Sequence, residues 1–272
     1  MLRLGLLETF IKLPMRPSLS RMNPSSIKIL LLTGLGLQCL SWLREGLFYG
    51  TSFSRFLLLN GLPDFYASLF EKVLLTLTTL ALIYALSKKN VKGPLWLYPS
   101  ILILDSLLII EDSQTPGIGL ILLSRAAVTG FPLALFFWKN NQKNICFHLL
   151  KYSIGLTFIG HGCKVLLQYP EYQDYLYTLF EAMRVPLSDS NMEFLMQGIG
   201  VTDLLVGIFI LFKPSYKPAL LYLLFWGFLT ALLRPFYSGL EGLYPFLIRI
   251  PHWLIPLLLI LWTKRIKRGV TL

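Results

Sequence analysis

The sequence has few charged residues, and this scarcity is the first constraint on the class of protein. Charged side chains make up 14% of the 272 residues, whereas hydrophobic side chains make up 55%. Soluble domains carry about 25% charged residues, so this chain lacks the polar surface that a water-soluble globule needs. Its apolar residues come in long blocks, which is typical of an integral membrane protein in contact with a lipid bilayer.

Cysteine is also scarce, and the motifs of common enzymes are missing. The three cysteines form no CxxC pair; Cys39 and Cys163 fall in apolar blocks and Cys146 in a basic loop. This spacing supports neither a metal site nor a disulfide framework. The chain has no phosphate-binding loop, nucleophile elbow, HExxH, haem-attachment or dinucleotide motif. We therefore predict no catalytic residues and no bound metal, and a role other than catalysis is favoured.

Acidic residues are fewer than basic ones, 14 against 25, which gives a net charge of +11. Such an excess is found in nucleic-acid-binding proteins. Here, however, the cations form short clusters between apolar blocks, a pattern typical of membrane orientation and of contact with anionic headgroups. We expect no nucleic-acid partner.

Eight apolar blocks have about the 20 residues that a bilayer requires, and they predict an all-α, polytopic helical bundle. The predicted spans are 28–48, 68–87, 94–110, 118–138, 148–168, 193–212, 218–235 and 245–263. Residues 1–27 are basic and interrupted by charges, which favours an interfacial segment over a cleaved signal peptide. Residues 264–272 form a basic tail.

The charges between the spans separate by sign. One side of the membrane receives clusters of cations, at Arg16, Arg21 and Lys28, at Lys88, Lys89 and Lys92, at Lys139, Lys143 and Lys151, at Lys213 and Lys217, and from Lys264 to Arg268. The other side receives Glu111, Asp112, Glu241 and the acidic residues between 171 and 193. The positive-inside rule then places both termini in the cytoplasm, as an even number of spans requires. A plasma or inner membrane fits this orientation.

The two halves of the chain resemble each other at one constant offset. Arg125, Pro132 and Trp138 recur as Arg249, Pro256 and Trp262, and 249 − 125 = 124. The same offset pairs other residues, among them Thr33 with Thr157, Gly36 with Gly160, Cys39 with Cys163 and Tyr98 with Tyr222. This pattern predicts a tandem duplication, with four-span units at 28–147 and 148–263 that are parallel to each other.

The polar chemistry is concentrated in the second unit. Its spans carry His161, Lys164, Asp203, Arg234, Arg249 and His252, whose counterparts at the same offset are Leu37, Leu40, Thr79, Ile110, Arg125 and Val128. A helix rises about 1.5 Å per residue, which places all six in the middle-to-outer layer of one four-helix unit. The first unit is predicted to be a scaffold or docking partner.

Asp203 is the centre of this group, because a charge near mid-bilayer costs at least about 2.5–3.5 kcal/mol unless it is neutralised or paired. Its candidate partners are Lys164, Arg234 and His161. One interpretation is a pocket, open to the non-cytoplasmic side, that binds a polar or anionic headgroup or relays protons. The alternative is a structural ion-pair network that holds four helices together.

Other residues receive structural interpretations. Asp105 is a candidate partner for Arg125, and Glu71 and Lys72 are expected to be solvated near a membrane surface. The aromatic residues near span ends are predicted to be interfacial anchors rather than a substrate cage: Trp226, Trp253, Trp262, Tyr98, Tyr169 and Tyr222. Residues 169–192 form the longest extramembrane segment and are a candidate amphipathic lid.

Three stretches of the second unit resemble the DoxX-like group of small four-span membrane proteins. They are Gly160-His161-Gly162-Cys163-Lys164, the glycine-rich span around Asp203 from Gly200 to Gly207, and Phe225–Pro235. The resemblance implies a four-helix membrane fold and an association with membrane redox chemistry and quinones. No cofactor follows from it.

The leading prediction is an accessory, DoxX-like membrane protein whose C-terminal half holds a lipidic or quinone-like molecule. Asp203 and His161 would form its polar centre, and Lys164, Arg234 and Arg249 would contact an anion. A small-solute or proton-coupled transporter that uses Asp203 is one alternative. A structural subunit, with other membrane subunits as partners, is another.

Overall fold

The computed structural model describes residues 24–88, 93–112, 119–213 and 216–266, and the prediction of an all-α fold is confirmed over these residues. The helices of the first half are α1 (Pro24–Phe48), α2 (Ser52–Leu59), α3 (Asp64–Ser87), α4 (Pro94–Asp112), α5 (Leu120–Ser124) and α6 (Ala126–Lys139). Those of the second half are α7 (Lys143–Leu166), α8 (Pro170–Ala182), α9 (Asp189–Phe212), α10 (Lys217–Ser238), α11 (Leu243–Ile248) and α12 (Ile250–Ile266). Most of the predicted basic segment 1–27 and of the tail 264–272 lies outside the described residues.

Four helical segments are long and apolar enough to cross a membrane: Ser26–Leu59, Asp64–Ser87, Asp189–Phe212 and Lys217–Ile248. Three further apolar helices are shorter, at Pro94–Leu108, Ala126–Lys139 and Ile250–Thr263. Large apolar side chains are exposed on the outside of these helices; Phe65 is 70% exposed, Leu205 59% and Phe225 67%. Exposed apolar side chains of this extent indicate that lipid or another protein covers this surface.

Two predicted spans are each divided into two helices by an arginine. The helix between 118 and 138 breaks at Arg125, where φ is −99° and ψ is 2°, and the helix between 245 and 263 breaks at Arg249, where φ is −90° and ψ is 6°. A break frees backbone N–H groups, which need other partners. The Thr157 hydroxyl accepts from the Ala127 amide at 2.7 Å. Pro251, at the offset of 124 from Ala127, has no N–H to satisfy.

The halves pack through reciprocal contacts. Helix α1 packs on α11 and α12 of the second half, and α7 packs on α5 and α6 of the first. The contact between α6 and α12 pairs Trp138 with Trp262, whose rings meet edge to face at 5.3 Å. One large hydrophobic core runs through both halves. Each half therefore contributes its first helix to the core of the other.

Close backbone packing joins α7 to α9. A Cβ atom on Gly162 would lie 2.7 Å from the Gly200 carbonyl oxygen, and one on Gly207 would lie 2.8 Å from the Gly155 oxygen. Glycines spaced seven residues apart on antiparallel helices thus meet in pairs. Small residues let helix backbones approach this closely, and this contact fixes the two helices that carry His161 and Asp203.

The expectations for four residues are wrong. Glu71 is buried, with 1% exposure, because it accepts hydrogen bonds from the amide and hydroxyl of Thr51 at the start of α2. Trp262 and Tyr98 are fully buried rather than interfacial, since they pack in the core shared by the two halves. Cys146 is buried inside α7, which begins at Lys143 before the predicted span.

Candidate functional site

A cavity of about 60 Å³ lies in the second half, between α7, α9, α10 and α12 and beneath α8. A volume of this size accommodates a few water molecules or a small polar group. Its apolar walls are Phe158, Val165, Leu176, Ile199, Trp226 and Leu233. Its polar groups are His161, Asp203, Thr230, Arg234, Arg249 and His252, together with two tyrosines of α8.

The two histidines face each other across the cavity. The Nε2 atoms of His161 and His252 are 3.3 Å apart, and the Nδ1 atom of His161 lies 2.5 Å from the Tyr172 hydroxyl. Burial raises the pKa of Tyr172, so the hydroxyl stays neutral and able to donate. The result is a continuous chain of hydrogen bonds from α8 through α7 to α12. Its last atom, Nδ1 of His252, is buried and has no side-chain partner among the described residues, and the ring interacts with the Arg249 backbone.

The two arginines approach the same cavity from α10 and from the break before α12. Arg234 is 6% exposed and donates to the Tyr175 hydroxyl at 2.7 Å, with its guanidinium 4.6 Å from the centroid of that ring. The Nε atom of Arg234 has no partner in the described part of the chain. Arg249 is half-buried and lines the cavity. Within the described ranges, no carboxylate lies at ion-pair distance from either arginine.

Asp203 is 3% exposed and is bound by a neutral partner rather than a cation. The Tyr222 hydroxyl donates to its Oδ1 atom at 2.7 Å. Tyr222 in turn stacks on Trp226, with ring centroids 6.4 Å apart. The prediction that these two aromatics only anchor the helix at an interface is wrong, because one binds Asp203 and the other lines the cavity.

Five of the six predicted site residues line this cavity, and Lys164 does not. The Lys164 ammonium group lies over the Tyr169 ring, 5.6 Å from its centroid. Sequence reasoning missed Tyr172, Tyr175 and Tyr222. The signal available was the tyrosine-rich segment 169–178, which the predicted lid over the outer face would bring to the site. Helix α8 lies in this segment and brings Tyr172 and Tyr175 to the cavity.

In the first half, the arginine at the helix break is paired with a carboxylate of the same half. Arg125 forms an ion pair with Asp105 at 2.9 Å, as predicted. At the offset of 124, Leu37 corresponds in sequence to His161, and Val128 corresponds to His252. The first half therefore has no histidine pair at these positions.

Among the described residues, no group of three or more His, Cys, Asp or Glu side chains is arranged to hold a metal ion. Comparisons with protein families, with curated proteins and with solved structures found no match to this chain. The chemistry of the cavity is therefore the starting point for function.

Replacing Tyr222 with phenylalanine is expected to lower the free energy of unfolding by about 0.5–1.5 kcal/mol, because the variant loses the hydrogen bond to Asp203 and a typical intramolecular hydrogen bond contributes about that much. Equilibrium unfolding in detergent micelles measures the change. Tyr216→Phe is the control, since Tyr216 is exposed and lies at the start of α10, the helix that carries Tyr222. Equal stability of both variants would show that Tyr222 does not hold Asp203.

Proposed function

We propose that the chain is an eight-span integral membrane protein built from two tandem four-span units, at 28–147 and 148–263, with both termini in the cytoplasm. Each half runs through the same order of elements: a long helix, a short helix, two long helices and a helix broken at an arginine. The breaks, at Arg125 and Arg249, are separated by the offset that relates the two sequences. Neither half buries its first helix alone, which supports a paired arrangement.

The second unit, in this proposal, binds a lipidic or quinone-like molecule with its polar end in the cavity beneath α8. The observation that carries it is the convergence of two arginines, two histidines and Asp203 on a cavity with mostly apolar walls. Ligand sites are typically apolar concavities with a few polar groups in fixed positions. Asp203 and His161 form the polar centre, Arg234 and Arg249 contact an anionic or carbonyl oxygen, and Lys164 lies further out. The resemblance to DoxX-like proteins is the reason for including a quinone-like molecule.

Mass spectrometry of the purified full chain tests this function. Protein extracted in a neutral detergent is expected to retain a lipid or a quinone above the detergent background. His161→Ala is expected to lose it, since the truncation removes one wall of the polar centre. Lys72→Gln, an exposed change on α3, is the control and retains the ligand. Wild-type protein without any molecule above background would remove the main support for the proposal.

A proton-coupled transporter is the second candidate, and the hydrogen-bonded chain Tyr172–His161–His252 beside Asp203 favours it. Such chains move protons between titratable groups in membranes. Proteoliposomes would then show a pH-dependent solute flux that Asp203→Asn abolishes. If the variant shows no flux difference and loses only stability or association with other subunits, the network is structural.

A further inference from the structure

We infer that the cavity binds an oxyanion, a carboxylate or a phosphate group, between Arg234 and Arg249. This group supplies the negative charge that Asp105 supplies to Arg125 in the first half. The inference rests on the proposed ligand-binding function and names the chemistry of the ligand's polar end.

The first argument is the charge around the cavity. Arginine stays protonated in proteins, and a buried charge without a partner is costly. Arg234 is 6% exposed, yet its one hydrogen bond is to a neutral tyrosine. Glu171 interacts with Arg234 electrostatically, but it is exposed on α8 and forms no ion pair with it. Asp203 is bound by Tyr222, and one carboxyl group would not balance two guanidinium groups even if it were ionised.

The second argument is the comparison with the first half. Arg125 lies at the break between α5 and α6 and Arg249 at the break between α11 and α12, and Asp105 neutralises Arg125. The offset 229 − 105 = 124 places Leu229 where the first half has its carboxylate. Leu229 lies on α10 three residues after Trp226 and four before Leu233, next to the residues of this helix that line the cavity. The second half therefore has the arginine but not the carboxylate.

The third argument is an unused donor. When the neutral Tyr172 hydroxyl donates to His161, His161 donates through Nε2 to His252, and the proton of His252 is on Nδ1. The Nε atom of Arg234 is buried and lacks an acceptor among the described residues, whereas the His252 ring interacts with the Arg249 backbone. A guanidinium fork matches the two oxygens of a carboxylate or a phosphate. An oxyanion would give the Nε–H of Arg234 the acceptor that it lacks.

Isothermal titration calorimetry of the full chain in neutral detergent tests the inference with four probes. They are palmitate, dioleoyl phosphatidic acid, inorganic phosphate and the neutral decylubiquinone. At least one anionic probe is expected to bind, and Arg234→Gln and Arg249→Gln are each expected to weaken its binding by about tenfold or more, as for a lost charge-assisted hydrogen bond. Lys72→Gln leaves binding unchanged.

The variant Leu229→Asp transfers the carboxylate of the first half to the second. It is expected to abolish anion binding, because the new side chain occupies the arginines in place of the ligand. The asparagine of Leu229→Asn has nearly the same shape as aspartate but no charge, so this variant is expected to retain anion binding. Elution as a single species in size-exclusion chromatography confirms that both variants are folded.

The possible outcomes distinguish a lipid headgroup from a free anion, and they distinguish failure of the inference from failure of the proposed function. Binding of palmitate or phosphatidic acid without binding of phosphate identifies a lipid headgroup, and binding of phosphate alone identifies a small anion; both support the inference. Binding of decylubiquinone without any anion overturns the inference and leaves the proposed function standing. If none of the four probes binds, both fail. Anion binding that Arg234→Gln and Leu229→Asp leave intact also overturns the inference.

Discussion

Replacing Asp105 with asparagine is expected to lower the free energy of unfolding by about 3–5 kcal/mol, the usual cost of removing one partner from a buried ion pair. Asp105 is 3% exposed and contacts Arg125 at 2.9 Å, where α5 ends and α6 begins. Without the carboxylate, the guanidinium group stays charged in an apolar environment. Unfolding in mixed micelles, followed by circular dichroism, measures the loss.

A double-mutant cycle separates this effect from a general loss of packing. Arg125→Gln removes the charge that Asp105→Asn leaves without a partner, so the double variant is expected to be more stable than Asp105→Asn alone. Coupling close to zero would mean that solvent already screens the pair. The double variant also tests whether the break at Arg125 depends on the ion pair or on the packing of α7.

Helix content and the location of the polar site could both be predicted from the sequence. Long apolar blocks have few alternatives to helices in an apolar phase, because every backbone group must be satisfied internally. Counting residues along the helices predicts similar depths for His161 and Asp203, and the two side chains line one cavity. Distances along a helix are fixed by its rise, so this kind of prediction carries over to the structure.

The partners within the site could not be predicted, because they depend on which way side chains turn and on how α8 folds back. Asp203 is held by Tyr222 and not by a cation, since Tyr222 on α10 reaches it from the neighbouring helix. The break at Arg125 has no glycine or proline beside it to indicate it, whereas the break at Arg249 is followed by Pro251 in the first turn of α12, a residue typical of a helix start. From the sequence, Glu71 is predicted to be a surface residue. In the structure, the amide of Thr51 at the start of α2 donates a hydrogen bond to it.

Replacing Gly162 with alanine is expected to destabilise the protein by about 1–3 kcal/mol, the range observed when a well-packed interior is overfilled. The added Cβ atom would lie 2.7 Å from both the Gly200 oxygen and the Leu204 amide nitrogen. These are backbone atoms of α9, and they cannot turn aside as the end of a side chain can. The two helices must separate, and His161 on α7 would move away from the helix that carries Asp203.

Gly198 provides the matched control on α9, because a Cβ atom there meets nothing within 4 Å. Alanine is favoured over glycine inside a helix by about 1 kcal/mol, so Gly198→Ala is expected to be neutral or stabilising. Gly207→Ala repeats the test at the second glycine contact between α7 and α9, where the Gly155 oxygen is 2.8 Å from the added atom. Ligand retention should fall with Gly162→Ala and not with Gly198→Ala. Equal stability of the three variants would show that α7 and α9 are not held at the distance that brings His161 and Asp203 to one cavity.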